Sequence, residues 1–402
     1  MPVLTLSDNV YEVGTVHPDR QLFDCLMPTP FGTTYNSYLI IGQEKIALID
    51  SVDPEKVPVL LNNLGEAGVR RIDYLVSLHT EQDHGGGARA ILLKYPMAQI
   101  IANAKVRELM ITHLHVPDEK ITVIGEGDRL ELGGKTLRFM MIPFAHWPDN
   151  YMAHLEEDNI LFSSDLFGSH YSTGKAFSTS SADQRFAAKT YYAEIMMPFR
   201  TQIAGYTARV RELAPRLIAP AHGPVWYDPN LILYSYARWT GDGVKRLVSI
   251  PYVSMHNSTR VMVERLAVRL SEQGLSVICR DLGSEVNSLT VGTSEFITDL
   301  VYAAAVIMAT PTVLGGPHPN IAYAALVANA LRPKARFLGV MGSYGWGTKV
   351  AETIDLLTAN LKMERLKPLL VKGLPTDEDL ARVDQMAFEI GEKIRNIPDL
   401  IR

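Results

Sequence analysis

Residues 74–87 read Tyr-Leu-Val-Ser-Leu-His-Thr-Glu-Gln-Asp-His-Gly-Gly-Gly, an apolar run that ends in four metal-capable side chains within six residues: His79, Glu81, Asp83 and His84. A short apolar run bounded by polar residues predicts a strand. While the chain stays extended, His79, Glu81 and Asp83 project to one side and His84 to the other. The three glycines that follow let it turn at once, so both sets can meet in one pocket. Three more candidates stand where other apolar runs end: His146 in AHWPD, Asp165 in LFSSD and His222 in PAHGP. An isolated histidine or aspartate in a loop is ordinarily solvated or capping. Seven nitrogen and oxygen donors together, four of them imidazoles, are enough for two metal ions with one carboxylate left to bridge. The other histidines (17, 113, 115, 154, 170, 256 and 318) lack this clustering, and among them His170 is the one expected to support a ligand from behind.

The composition fits this reading. The chain has 402 residues, 47% hydrophobic and 21% charged, which is globular material for two or three domains and excludes disorder, collagen and coiled coil. A net charge of -5 with mixed signs offers no field for nucleic acid or an anionic membrane surface. No long apolar stretch occurs and the start, MPVLTLSDNVYEVG, lacks a basic, apolar leader pattern, so a soluble cytoplasmic protein is expected. The two cysteines, Cys25 and Cys279, are far apart and form no CxxC, which leaves any metal to nitrogen and oxygen ligands. Cys279, in the run LSVIC, reads as a small hydrophobe of a buried strand.

Up to residue 245 the chain is rich in short β-like runs, with helices expected at 55–66, 86–95, 105–115 and 183–213. From 247 onward strands and helices alternate (LVSIPYV, STRVMVERLAVRLSEQG, LSVICRD, SEFITDLVY, AAAVIMAT, NIAYAALVANALR, ARFLGVM, GTKVAETIDLLTANL), the pattern of a doubly wound parallel sheet. The expected domains are therefore 1–247 and 248–402. Ligands of such sheets lie beyond the carboxyl ends of the strands, which singles out the loops after Val253, Ala309 and Met341. The first holds Ser254, His256, Asn257, Ser258 and Thr259 at a helix start, suited to a terminal phosphate but also to ordinary capping. The second holds Pro311, Thr312, Val313 and Gly316. The third holds Ser343, Tyr344, Gly345, Trp346 and Gly347, where glycines permit close approach to a flat ring and the aromatics supply faces or edges for it. The absence of GxGxxG after the first strand argues against a dinucleotide.

The His-x-x-x-Asp-His core with the later His, Asp and His resembles the metallo-β-lactamase superfamily. With Glu81 in place of that family's second histidine, HTEQDH resembles its flavodiiron branch, as do GTTYNSYL at 32–39, HWPD at 146–149, SSDLFG at 163–168, YYAEIMMPF at 191–199 and the His-Gly of 222–223. A carboxylate in place of an imidazole makes the site harder and favours iron or manganese over zinc. The resemblance implies an α/β protein, an αββα metallo-β-lactamase-like sandwich followed by a flavodoxin-like domain that binds FMN through the three loops above. It implies one iron on His79, Glu81 and His146, a second on Asp83, His84 and His222, and Asp165 bridging them, although some members leave the histidine at the position of His84 unligated. Asp24, His170 and Tyr192 are the residues it points to around the centre; Asp24 stands where several members carry histidine, and His256 where many carry an aromatic. The implied activity is electron transfer from FMN to a nonheme diiron centre that reduces O2 to water, NO to N2O, or both, as detoxification in an anaerobe or microaerobe. It also implies a head-to-tail homodimer or dimer of dimers. Two cysteines cannot build a rubredoxin centre or an iron-sulfur cluster, so a separate donor, a rubredoxin or a reduced deazaflavin, is expected. The alternatives are a metal-dependent hydrolase with a regulatory flavodoxin domain, against which Glu81 argues, and an electron carrier with a structural metal.

Overall fold

In the first half the apolar runs pair into two main sheets, beside two short two-stranded ones. A computed structural model describes residues 4–172, 181–284 and 288–401. It separates into two units: one of Met1–Phe23, Thr29–Tyr192 and Phe199–Ala237, the other of Asp24–Pro28, Ala193–Pro198 and Arg238–Arg402.

In the first unit a seven-stranded sheet runs in the order Leu4–Ser7, Val10–Glu12, Tyr38–Ile41, Ile46–Ile49, Tyr74–Val76, Gln99–Asn103, Ile121–Ile124. A five-stranded sheet runs in the order Arg129–Glu131, Thr136–Met141, Tyr151–Leu155, Ile160–Phe162, Leu217–Ala219. Central strands are covered on both faces, so Tyr151–Leu155 and Ile160–Phe162 are buried at every position and read as unbroken apolar runs. Strand direction then places the ligand candidates. Ile160–Phe162 and Leu217–Ala219 are parallel neighbours, which brings the residues after each, Asp165 and His222, out at the same edge. His146 lies in the connection between the antiparallel pair Thr136–Met141 and Tyr151–Leu155.

Helices form at Val57–Glu66, Ala88–Lys94 and Ala104–Leu114, the last capped by Asn103, whose side chain accepts from the amides of Lys105 and Val106. The helix expected across 183–213 is broken. Ala182–Tyr191 gives way to a π-helical turn at Tyr192–Met196 and a 3-10 turn at Met197–Phe199 before Arg200–Leu213 resumes. Pro198 has no amide hydrogen for the ladder, and its ring excludes the carbonyl one turn back. The aromatic stretch 229–240, not anticipated as regular, is a helix, Pro229–Thr240.

The second unit has a parallel sheet in the order Ser276–Asp281, Leu247–Tyr252, Ala305–Val313, Phe337–Tyr344, the last flanked by both Glu364–Arg365 and Leu369–Lys372. This is strand order 2-1-3-4-5, and the order reverses between Leu247–Tyr252 and Ala305–Val313. Backbones in the sheet approach closely at Gly342, where a Cβ would lie 2.0 Å from the carbonyl oxygen of Thr310. The C-terminal helix Asp377–Arg395 opens on a capping box of Thr376 and Asp379, and its Asp384 takes a two-pronged bond from Arg265 at 2.7 Å each on the helix Ser258–Glu272. Cys279 corrects the sequence reading: it is exposed, because Ser276–Asp281 is an edge strand with a single neighbour, and both cysteines are free. Among the described residues no helix is long and apolar enough to cross a membrane.

Candidate active site

The chain leaves the Tyr74–Val76 strand extended and is still extended at Glu81, with φ -50° and ψ 144°, before a single helical turn at Gln82–Gly85. That change of conformation brings Asp83 and His84 round toward the same place as His79 and Glu81. The glycines work differently from the sequence expectation. Gly85, Gly86 and Gly87 do not take up positive φ. A Cβ on Gly86 would meet the Pro54 ring at 2.8 Å, and one on Gly87 would meet Ser51 at 2.9 Å, so these two permit close packing of the turn.

Two clusters result, His79, Glu81, His146 and Asp165, and Asp83, His84 and His222, the ligand atoms of each lying within 4.8 Å of one another. Glu81 Oε2 is 3.2 Å from the Nε2 atoms of both His79 and His146. Asp165 reaches both clusters with different oxygens: Oδ2 lies 3.3 Å from His146 Nε2 and 3.6 Å from His79 Nε2, while Oδ1 lies 3.2 Å from His84 Nε2 and 3.5 Å from His222 Nε2. Asp83 faces His222 Nε2 at 3.0 Å and His84 Nε2 at 3.4 Å.

His79 Nε2 and Glu81 Oε2 form a hydrogen bond, but several of the other atoms are close without pairing. Both oxygens of Asp83, Asp165 Oδ2 and His84 Nε2 are buried and have no hydrogen-bond partner. Buried polar groups are ordinarily paired, and lone pairs that converge without pairing are what ligands to a common third atom present. Burial alone would push the imidazoles of His79, His84 and His146 down, yet the carboxylates around them outweigh it and raise each to about 10. Burial opposes ionisation of Asp165 too, but His84 and His146 hold it well below the usual carboxylate range. Three ligand carboxylates thus sit in a field that calls for positive charge, which a pair of divalent cations supplies.

Supporting groups fix the ligands. Asp149, fully buried, accepts from His79 Nδ1 at 3.0 and 3.1 Å and from the amide of Thr80 at 2.9 Å. His222 Nδ1 donates to the carbonyl of Thr34 at 2.6 Å. Each bond commits the Nδ1 proton and leaves Nε2 for a metal. The hydroxyl that donates to Asp165 Oδ1, at 2.9 Å, belongs to Tyr191. Sequence reasoning pointed to its neighbour Tyr192, whose buried ring meets Tyr236 edge-on. His170 sits against the rings of Phe23, Tyr191 and His222, with Nδ1 2.8 Å from Thr33 Oγ1 and Nε2 buried without a partner. Burial, reinforced by His222, pushes His170 far below the usual histidine range. Asp24 is exposed, with φ +48°, and groups with the second unit. Asp149 and Tyr191 are supports that the sequence pattern does not single out, although both lie in the family-like segments HWPD and YYAEIMMPF.

In the second unit a cleft of about 200 Å³ opens at the strand-order reversal. It draws residues from all three loops, among them Ser254, His256, Ser258 and Thr259, Pro311 and Thr312, and Ser343, Tyr344 and Gly345. Met255 and Gly373 join them unannounced by the sequence. Asn257, Val313, Gly316, Trp346 and Gly347 do not line it. Asn257 precedes the Ser258–Glu272 helix with φ +65°, and Trp346 is 97% exposed beyond the rim. A Cβ on Gly345 or Gly347 would meet nothing within 4 Å, so the third loop leaves room for a ring. Hydroxyls at a helix start with that space beside them fit a phosphorylated flat ligand.

A metallo-β-lactamase-like unit with a carboxylate-shared pair of metal-binding clusters, followed by a flavodoxin-like unit, defines the class. Residues 33–223 match the family described as ODP family beta lactamase. The chain is 30% identical to the coenzyme F420H2 oxidase of Methanothermobacter marburgensis, over 97% of each protein. It is 31% identical to the nitric oxide reductase of Moorella thermoacetica, over 97% of this chain and 98% of that one. The solved structure of rubredoxin oxygen:oxidoreductase from Desulfovibrio gigas superposes with a TM-score of 0.91 at 28% identity and covers 98% of both chains. The chain belongs to the flavodiiron protein family.

Proposed function

We propose that this protein is a flavodiiron oxidoreductase that passes electrons from FMN to a nonheme diiron centre and reduces O2 to water, NO to N2O, or both. The observation that carries the reading is Asp165, a buried carboxylate presenting one oxygen to each of two ligand clusters. Relatives named as a coenzyme F420H2 oxidase and a nitric oxide reductase, aligned over nearly the whole chain, support it.

His79, Glu81 and His146 would hold one iron and Asp83, His84 and His222 the other, with Asp165 between them. The cleft of the second unit would hold FMN, so we assign residues 1–247 to the diiron domain and 248–402 to the FMN domain. When bound, FMN supplies one- and two-electron transfer, and the two irons supply a reducing site that holds a diatomic molecule.

The protein's own groups supply placement. Asp149 and the Thr34 carbonyl lock the tautomers of His79 and His222. Tyr191, whose phenol is pushed far up first by burial and then by Asp165, keeps its proton and holds the shared carboxylate in orientation. His170 stays neutral beside His222 and adds an uncharged polar edge. We further propose a separate rubredoxin-type or deazaflavin donor, a head-to-tail homodimer or dimer of dimers, and a cytoplasmic location.

The test is anaerobic reduction of the FMN-loaded, iron-loaded protein followed by rapid mixing with O2 and, separately, with NO. Rapid flavin reoxidation by at least one gas, with the ratio of rates giving the preference, is expected. Two zinc ions, no flavin and hydrolytic turnover would sink the reading.

A further inference from the structure

The short strands Thr15–His17 and Thr33–Tyr35 pair antiparallel, with Thr15 opposite Tyr35 and His17 opposite Thr33. Side chains alternate along each strand, so His17 and Tyr35 share one face of this ribbon as diagonal neighbours. Their ring centroids are 6.0 Å apart. Tyr35 in turn meets the ligand candidate His222 edge-on, also at 6.0 Å. Three rings thus form a file that starts at half-buried His17 and ends at the second ligand cluster.

The polar atoms along this file are orphaned. The Tyr35 hydroxyl and His17 Nδ1 are buried and have no hydrogen-bond partner among the described residues, and the same holds for both oxygens of Asp83. Buried polar atoms are ordinarily paired, by ordered water where no protein group is in reach. Two such atoms on neighbouring rings point to a water between them. The outer end is polar: Arg20, Asp53 and Glu55 act electrostatically on both rings and Lys56 on His17, while Asp83 is felt at Tyr35. Burial, then Lys56 and Arg20, lower His17 from the usual histidine range against Asp53 and Glu55. Its ring is therefore neutral at pH 7, with one nitrogen a donor and the other an acceptor. Tyr35 is pushed up, first by burial, and keeps its proton. A neutral imidazole and a phenol can each take a proton on one side and release one on the other.

Reduction of O2 to water and of NO to N2O both consume one proton for each electron. We infer that His17 and Tyr35 form the relay through which those protons enter. A proton from bulk water binds the outer nitrogen of His17 while Nδ1 gives its own, through one water, to the Tyr35 oxygen; the Tyr35 hydroxyl releases its proton toward Asp83 and His222. Each group ends the passage with as many protons as it began, and the electrons come separately from the flavin. The relay rests on the reductase reading above and adds two residues to it.

The experiment compares the wild type with Tyr35→Phe, which keeps the ring against His222 and deletes the hydroxyl, and with His17→Gln, all full length and loaded with iron and FMN. After anaerobic reduction and mixing with O2 or NO, flavin reoxidation should slow by about a hundredfold in either variant, the low end of what a positioned proton-transfer group contributes. The slowed rates should fall further as pH rises, with iron and FMN contents unchanged. Added imidazole should restore most of the rate to His17→Gln, whose gap opens to water, and none to Tyr35→Phe, whose gap is buried. A second readout needs no turnover: in the iron-free protein the nitrogen NMR resonance of His17 Nδ1 should move with Tyr35→Phe. A rate within twofold of the wild type in either variant, a His17→Gln rate that imidazole does not raise, or an unmoved resonance overturns the relay. So does loss of iron from Tyr35→Phe, which would make the hydroxyl a support of the ligands. Wild-type protein whose flavin neither gas reoxidises removes the reductase reading and the relay with it, a result distinct from a working wild type with indifferent variants.

Discussion

Asp149→Asn changes one buried atom and poses a donor-acceptor conflict that can be worked through. The carboxylate accepts from His79 Nδ1 and from the amide of Thr80 at 2.9 to 3.1 Å, and Asp149 is wholly buried. An asparagine keeps the shape but offers one oxygen. If that oxygen faces Thr80, the amide group points its own hydrogens at the Nδ1 proton of His79. The ring then escapes only by moving its proton to Nε2, the atom that would face iron. If the oxygen faces His79 instead, the Thr80 amide is left buried and unpaired. Either arrangement loses about 1.5–3 kcal/mol, the worth of a hydrogen bond to a charged group. At about 1.4 kcal/mol per decade this is one to two decades in affinity, in line with the roughly 10- to 100-fold typical of lost outer partners of metal-bound histidines. Iron retention measured by chelator competition should therefore fall by that factor at the His79, Glu81 and His146 position, with FMN content unchanged. Iron affinity within twofold of the wild type would refute the tautomer argument.

Three further outcomes are expected. Glu81→His removes a carboxylate that faces both His79 and His146 at 3.2 Å; iron content and gas reduction should both drop while FMN stays bound, and unchanged activity would contradict a ligand role for Glu81. Because His79, His84 and His146 are raised to about 10 in the ion-free site, a metal must displace their protons. Adding a divalent metal to the iron-free protein in weak buffer should acidify the solution, and affinity should rise with pH between about 6 and 9; metal uptake without proton release would remove this charge assignment. Lys334→Met deletes a buried ammonium that donates to the carbonyls of Arg238, Trp239 and Gly241 at 3.0, 3.1 and 2.7 Å. Urea unfolding followed by circular dichroism should register a loss of about 2–3 kcal/mol, and an unchanged midpoint would mean that water replaces the ammonium.

The ligand candidates were legible because each metal-capable residue stands where an apolar run stops, a pattern that survives ignorance of the fold. The choice between Tyr191 and Tyr192 was not. Two adjacent tyrosines differ by about 100° around a helix, and the helix changes to a π turn just there, so sequence phase is lost where it is needed. Asp149 could be seen in HWPD, but its use depends on His79, which lies 70 residues away along the chain. The apolar run around Cys279 marks a strand, yet such a run does not say whether the strand is central or at an edge. Gly373 entered the cleft through the strand Leu369–Lys372, whose short run follows a proline and was not read as part of the parallel set.

The backbone around the clusters carries the same message as their charges. Asp50, Phe144, Ser164 and Phe167 have φ of +53°, +65°, +53° and +71°, and a non-glycine residue in this left-handed region costs roughly 1–2 kcal/mol. Two of the four flank Asp165 and a third lies two residues before His146. Their neighbours hold them in place: the Ser164 carbonyl accepts from the Ala221 amide at 2.8 Å, the Phe144 amide donates to Trp147 at 2.7 Å, and Asp50 Oδ1 accepts from Leu78 at 2.7 Å. Gly223, after His222, is also left-handed at +79°, and a Cβ there would lie 2.2 Å from Ser169 Oγ. Strain of this kind persists only where surrounding bonds over-determine it. Of these bonds, the one from the Ala221 amide to the Ser164 carbonyl joins the segments that carry His222 and Asp165, so the distortion beside the shared carboxylate is held by the segment of a second ligand. Relief of the strain by a more relaxed loop would redirect the ligands that define the site.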